Sequence, residues 1–285
     1  MSRNIQLLVI DPQNDFCDLP AAWQPTDPTT GARTAPSLPV AGAHADLQRM
    51  AAFIRDHATQ LDAITVTLDS HQRIDIAHPG FWQQADGRAV GPFTPITAAQ
   101  VRSGAFAPRN PAHLHRTLAY MDALEARGRY TLMVWPVHCE IGSWGHGVHA
   151  DVLVACGEWQ LQRQRAVHNV FKGTNPWTEH YSAIEAEVVD ADDPDTALNT
   201  RLLAALDTAD LLLIAGEASS HCVRSTTEHI AQHLPQLVPG WQASRIVLLT
   251  DGMSPVGGFE AQHRAFLDAM RAAGAQLKNM NEIGL

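Results

Sequence analysis

The sequence predicts an α/β protein: a three-layer αβα arrangement around a central, mostly parallel sheet, as a single domain over residues 1–285 with long loop insertions near 19–40 and 83–118. Two observations predict it. Short apolar runs recur along the chain with helical patterns between them, and polar clusters follow directly after several of those runs. Strands that read as continuous apolar runs are buried on both faces, as in parallel sheets. Their alternation with helices puts helices on both sides of the sheet. Such sheets hold ligands at the carboxyl ends of their strands.

The elements follow in order. "IQLLVI" (5–10) is the first strand and runs straight into Asp11. Residues 19–40, "LPAAWQPTDPTTGARTAPSLPV", are rich in Pro and Thr and predict an ordered surface excursion. Leu47, Met50, Ala51 and Ile54 share one helical face. "AITVTL" (63–68) is the second strand. Residues 83–118 predict a second long irregular connection, of a length that usually serves as a lid or an interface arm. "TLMVW" (131–135) predicts a third buried strand. Leu198, Leu202 and Leu206 repeat every four residues ahead of the strand "LLLIAG" (211–216). "SSHCVRSTTEHIAQHL" predicts a helix opened by a Ser cap. "RIVLLT" (245–250), a last helix stopped at Gly274 and a final strand in "AQLKNM" complete the chain.

Composition narrows the function. The net charge of −10 and the lack of any Lys/Arg run argue against nucleic acid as a partner. No apolar stretch approaches the roughly 20 residues that cross a bilayer, so no membrane partner is expected. "MSRNIQLLVID" makes a poor signal peptide, and a cytoplasmic location is the expectation. Cys17, Cys139, Cys156 and Cys222 form no CxxC pair and predict free thiols. Any one of them could be a nucleophile or a small buried hydrophobe.

Four polar clusters could carry chemistry. Asp11, in "DPQNDF", could be a site residue or a turn former. In "DSHQRIDIAHPGFW", Asp69 and His71 are two apart, so on extended backbone they point the same way. A carboxylate and an imidazole so placed suit Zn²⁺ or Fe²⁺, and His78 could join them. In "WPVHCEIG", His138 and Cys139 are neighbours that point apart, and His138 is the favoured ligand. In "GEASSHCVRST", Cys222 falls near a helix start, where a thiol pKa is lowered and N–H groups can receive an oxyanion. Lowering a thiol from about 8.5 to about 6.5 would stabilise the thiolate by roughly 2.7 kcal/mol. Lys172, in "FKGTNP", reads alone as a solvated loop charge.

Taken together, "DPQNDF", "LDSH", "WPVHC", "FKGTNP" and "GEASSHCVRST" resemble, in that order, the isochorismatase-like cysteine hydrolases, and within them the nicotinamidase branch. The resemblance implies the isochorismatase-like αβα fold and a metal-containing amidohydrolase that converts a small primary amide to a carboxylate and ammonia through a thioester. It implies Asp11, Lys172 and Cys222 as the catalytic triad, and Asp69, His71 and His138 as metal ligands with His78 as a further candidate. The metal would be zinc, with iron or manganese as alternatives. It implies a cis Glu217–Ala218 peptide, with the N–H groups of Ala218 and Cys222 as the oxyanion hole. Phe16 and Trp135 match positions that pack around the substrate, and could equally be core aromatics. The resemblance also implies a homo-oligomer. One residue departs from the pattern: Glu217 stands where an apolar residue is common, and its charge would oppose an oxyanion unless it points away or is paired. Two alternatives stay open, an amidase of N-carbamoyl or ureido compounds and a non-catalytic metal-binding scaffold.

Overall fold

β1 (Ile5–Ile10) runs through the middle of the molecule with every residue buried. In the computed structural model, which describes residues 3–285, the chain continues through α1 (Ala43–Asp56), β2 (Ala63–Asp69), β3 (Trp82–Gln84), β4 (Thr94–Ile96), α2 (Ala98–Arg102), β5 (Phe106–Pro108), α3 (Leu114–Arg127) and β6 (Leu132–Val134). It then forms α4 (Ala150–Arg163), β7 (His168–Lys172), α5 (Thr200–Leu206), β8 (Leu211–Gly216), α6 (Cys222–Leu237), β9 (Ile246–Leu249), α7 (Glu260–Ala272) and β10 (Gln276–Lys278). Six strands make one parallel sheet in the order β10-β9-β8-β1-β2-β7. The predicted three-layer arrangement is therefore present.

The pleat of β1 sorts its side chains between the two helical layers. Leu8 and Ile10 join Leu212 and Ile214 of β8 against α5, α6 and α7, through Leu202, Val223, Ile230 and Phe266. Leu7 and Val9 face the other way, against Leu47, Met50 and Ile54 of α1 and Val152 and Trp159 of α4. Each fully buried aliphatic side chain contributes about 1.5–3 kcal/mol. From β1 the chain steps outward to β2 and β7, then returns to build β8, β9 and β10 on the other side. The crevice at the carboxyl ends of β1 and β8 is thus the topological switch point, where such sheets bind ligands.

The structure corrects the sequence reading in four places. "TLMVW" does not join the main sheet: β6 pairs antiparallel with β4 in a separate two-stranded sheet. Residues 83–118 are not irregular. They hold β4, β5, α2 and the start of α3, and with β3 and β6 they pack a third core around Trp82, Ile96 and Met121. Lys172 is not a solvated loop charge: it is buried at the end of the edge strand β7, whose inward residues Val170 and Lys172 alternate with outward Asn169 and Phe171. Helix α6 begins at Cys222 itself, with His221 before it and no side-chain cap, so the predicted Ser cap is absent. By contrast, 19–40 is a loop, broken only by the short 3₁₀ turn Ala21–Trp23. No helix among the described residues is long and apolar enough to cross a membrane.

The close approach of β8 to β1 rests on Gly216. Its φ is +122°, and a Cβ there would lie 2.0 Å from the Ile10 carbonyl oxygen. Gly216→Ala is expected to cost on the order of 3 kcal/mol or more, because both strain and backbone overlap oppose it. Gly87 also has a positive φ, of +81°, but nothing lies within 4 Å of its Cβ position. Gly87→Ala should lose only about 1 kcal/mol. Urea unfolding of the two variants checks the contrast, and equal losses would contradict it.

Candidate functional site

Four strands deliver the polar residues of the switch point. Asp11 follows β1, Asp69 ends β2, Lys172 ends β7 in register with Asp69, and Cys222 opens the helix after β8. Gln13 ties the first two together: its amide donates to the Asp69 carbonyl at 2.8 Å and its oxygen accepts the Asp69 N–H at 2.8 Å. The segment after β6 reaches the end of β2 through His71 N–H to Cys139 O and Ile141 N–H to His71 O, each 3.0 Å. That pairing carries His138 to His71.

Lys172 sits at the centre, with its side chain 1% exposed. Its Nζ lies 3.0 Å from Asp11 Oδ2 and 2.9 Å from Asp69 Oδ1, donates to the His180 carbonyl at 3.0 Å, and is 3.6 Å from Cys222 Sγ. The residues that the sequence resemblance joins as a triad therefore meet. Burial would discharge the ammonium, but Asp11 and Asp69 hold its pKa well above that of an ordinary lysine. Burial likewise opposes the Asp69 carboxylate, yet His71 and Lys172 hold it well below the usual range. Asp11 goes the other way. Burial, aided by Asp69, raises its pKa despite Lys172 and the Thr67 hydroxyl, which donates to Oδ1 at 2.5 Å.

The expected low-pKa thiol is not found. Burial pushes the Cys222 thiol well above its ordinary value; Lys172 pulls it down, but Asp11 and Asp69 push it up. Removal from water and the two nearby carboxylates outweigh the pull of Lys172. The resting group is a thiol, with Lys172 Nζ 3.6 Å from its sulfur.

Beside this cluster, ring nitrogens of His71, His78 and His138 lie within 4.8 Å of one another, all buried. Asp69 Oδ2 is 3.1 Å from His71 Nε2 and 3.4 Å from His138 Nε2. Each Nδ1 has an acceptor of its own: Asp75 Oδ2 for His71 at 3.0 Å, the Gln72 carbonyl for His78 at 3.2 Å, and the Pro136 carbonyl for His138 at 2.8 Å. With Nδ1 as donor, Nε2 can turn its lone pair to an ion, which is how metal-ligating histidines are oriented; here His78 Nε2 lies 3.2 Å from His138 Nδ1, and Asp69 and Asp75 raise the His71 pKa well above that of an ordinary histidine. Three imidazoles and one carboxylate suit a divalent transition ion, zinc foremost. His78 belongs with the other three. Burial, with His138 and His71 beside it, drives its pKa down to about 2, so it stays a neutral base.

Phe16 and Trp135, both 3% exposed, wall a cavity with Tyr181, Leu38 and His221, and Cys222 and His138 reach into it. It has about 20 Å³ for water centres, room for roughly one molecule. A larger guest must move a wall, and Leu38 comes from the 19–40 loop. The Glu217–Ala218 peptide is cis. Among the described residues, the N–H groups of Ala218 and Cys222 have no acceptor.

Sequence reasoning missed Gln13, Asp75 and Glu179. Glu179 lines the cavity and is fully buried, with burial raising its pKa to about 7, and its Oε2 has no hydrogen-bond partner among the described residues. No spacing rule singles out these residues. Only the (i, i+4) offset of Asp75 from His71 was a readable signal.

No protein-family model and no curated protein matches the sequence. Solved structures do match the fold. The nicotinamidase/pyrazinamidase of Acinetobacter baumanii aligns at 18% identity with a TM-score of 0.62, covering 98% of this chain and 98% of that one. The yeast nicotinamidase aligns at 18% identity with a TM-score of 0.61, covering 96% and 99%. The pyrazinamidase of Pyrococcus horikoshii, solved in complex with zinc, aligns at 17% identity with a TM-score of 0.51, covering 97% and 99%. The chain has the fold of these proteins.

The histidine cluster makes a prediction independent of any activity. Zinc titrated into metal-free protein should bind at one equivalent, and more weakly as pH falls and the ligands protonate. His71→Ala should weaken binding at least tenfold, and Asp75→Asn by about 10–100-fold through loss of ligand orientation. Calorimetry reads both effects; unchanged affinity in His71→Ala would remove it from the site.

Proposed function

We propose that this chain is a thiol-dependent amidohydrolase that cleaves a small, flat primary amide to a carboxylate and ammonia, in the manner of the nicotinamidases whose fold it shares. One observation carries this reading: the Cys222 thiol, the Asp11 carboxylate and the Lys172 ammonium meet beside two unpartnered backbone N–H groups. The aromatic walls Phe16 and Trp135 favour a planar substrate. The cluster of His71, His78 and His138, with Asp69 beside His71 and His138, favours a metal-containing amidase over a metal-free amidase of ureido compounds.

In the proposed reaction the thiol proton moves to Asp11 as the sulfur attacks the amide carbon. The thiol rests protonated, so transfer and attack are coupled, and no thiolate needs to be stored. Lys172 stays charged throughout and compensates whichever of Asp11 or Cys222 carries the negative charge. The carbonyl oxygen becomes an oxyanion and accepts from the N–H groups of Ala218 and Cys222. The C–N bond then breaks, Asp11 returns its proton to the leaving nitrogen, and ammonia departs. Asp11, again a carboxylate, takes a proton from water, whose oxygen attacks the thioester. The C–S bond breaks, the acid product leaves, and Cys222 regains its proton. A divalent ion held by Asp69, His71, His78 and His138 would supply a Lewis-acidic anchor for a substrate lone pair.

Cys222→Ala should reduce ammonia release by at least about 10³-fold across a panel of primary amides, while zinc still binds. Near wild-type turnover would refute the nucleophile and favour the scaffold alternative. Asp11 must be ionised to accept the proton, and its pKa is raised. Activity should therefore fall as pH drops through a midpoint above the ordinary aspartate range of about 3.9. A rate–pH profile with full activity down to that range would contradict Asp11 as the proton carrier.

A further inference from the structure

Glu217 begins the turn that carries the two free amides, and its side chain points away from the cavity. It is 0% exposed. Its Oε2 accepts the Ser254 N–H at 3.1 Å, while the Ser254 hydroxyl donates to Asp46 Oδ2 at 2.6 Å. One serine thus grips two carboxyl groups, one from the turn after β8 and one from α1. Glu217 Oε1 finds no donor among the described residues. The backbone of the turn is fixed to the same elements. Glu217 N–H donates to the Ile10 carbonyl at 2.8 Å, and Ser219 N–H to the Ser254 carbonyl at 2.9 Å. Ser220 Oγ accepts the Val256 N–H at 3.1 Å.

Two buried carboxyl groups held by one serine are not both readily ionised without a cation between them. The surroundings offer few. Arg49 pairs with Asp46 from the solvent side. The loop after β1 brings Asp18, whose charge opposes a further anion, and the neutral Cys17 thiol; His44 of α1 donates its backbone N–H to Asp18 at 2.9 Å and turns its ring to His149. α7 brings His263, which bonds the Ser219 hydroxyl at 2.8 Å rather than either carboxyl. A proton on Glu217 Oε1, donated to Asp46, satisfies the orphan oxygen and the charge together.

We propose that Glu217 is a positioning residue: as a neutral acid hydrogen-bonded to Asp46, and joined to it through Ser254, it holds the turn that aims the Ala218 and Cys222 amides at the oxyanion. This rests on the amidase reading for its consequence, but not for the acid pair itself. Burial, with Asp46 beside it, holds Glu217 well above the usual carboxylate range. A carboxyl whose folded pKa is raised contributes full stability below its unfolded pKa of about 4.3, and that contribution is lost as pH rises toward the folded value.

The test compares wild type, Glu217→Gln and Glu217→Ala. Glutamine keeps the shape and donates to Asp46 at every pH. The melting temperature of Glu217→Gln relative to wild type should therefore climb by about 3 °C or more between pH 5 and pH 8. Parallel curves would overturn the shared proton, whatever the protein's activity. On an amide that wild type hydrolyses, Glu217→Ala should lose about tenfold or more in kcat with KM within about threefold, and Glu217→Gln should recover most of it. Unchanged kcat in Glu217→Ala would overturn the positioning role. If wild type hydrolyses no amide while the melting curves diverge, the amidase reading fails and the acid pair stands.

Discussion

A single buried ammonium holds this site together. Lys172 Nζ lies about equally far from Asp11 and Asp69, and neither carboxylate has another strong cation so close except His71 beside Asp69. A charge taken out of water is costly unless paired, and removing one partner of such a pair typically destabilises by about 3–5 kcal/mol. The arrangement also couples two chemistries. On one side Lys172 faces the acid–thiol pair, and on the other the carboxylate that reaches the histidines. A change of charge on either side is felt through the same Nζ.

The sheet order explains why these groups meet. β1, β2 and β7 are adjacent, so Asp11, Asp69 and Lys172 leave three neighbouring strand ends. β8 flanks β1 on the other side and delivers Cys222 across the switch point. Rigid strands fix the three charges, while the cavity walls come from loops: Leu38 from 19–40, Trp135 after β6, and Tyr181 after β7. The charge-bearing part is thus held by backbone pairing, and the part that must admit a guest is not.

Much of this was legible in the sequence. Largely apolar runs found β1, β2, β8 and β9, because both faces of those strands are buried, Gln6 of β1 and Thr65 and Thr67 of β2 included. The same rule failed at β7, an edge strand whose outward residues Asn169 and Phe171 face away from the core. It failed at β6 in the opposite sense: a buried apolar run there belongs to the small third core and not to the sheet. Asp69, His71 and His138 were readable from spacing and strand ends. Lys172 was not, since a lone lysine gains meaning only from the two carboxylates that surround it. The raised pKa of Cys222 was hidden for the same reason. A helix start is visible in sequence, but burial and the charges of Asp11 and Asp69 are not. Glu217 was visible as an anomaly, and only its bond to Ser254, which also bonds Asp46, makes it intelligible.

The most direct test of the central ammonium is the alkylation rate of Cys222 by iodoacetamide at pH 8, in wild type and in Lys172→Met shown to be folded by circular dichroism. Lys172 is the cation that opposes the upward push on the thiol. Its loss should raise the thiol pKa by at least about one unit and slow alkylation about tenfold or more. An equal rate in the two proteins would mean that Lys172 does not govern the sulfur, and the account built on it would fail.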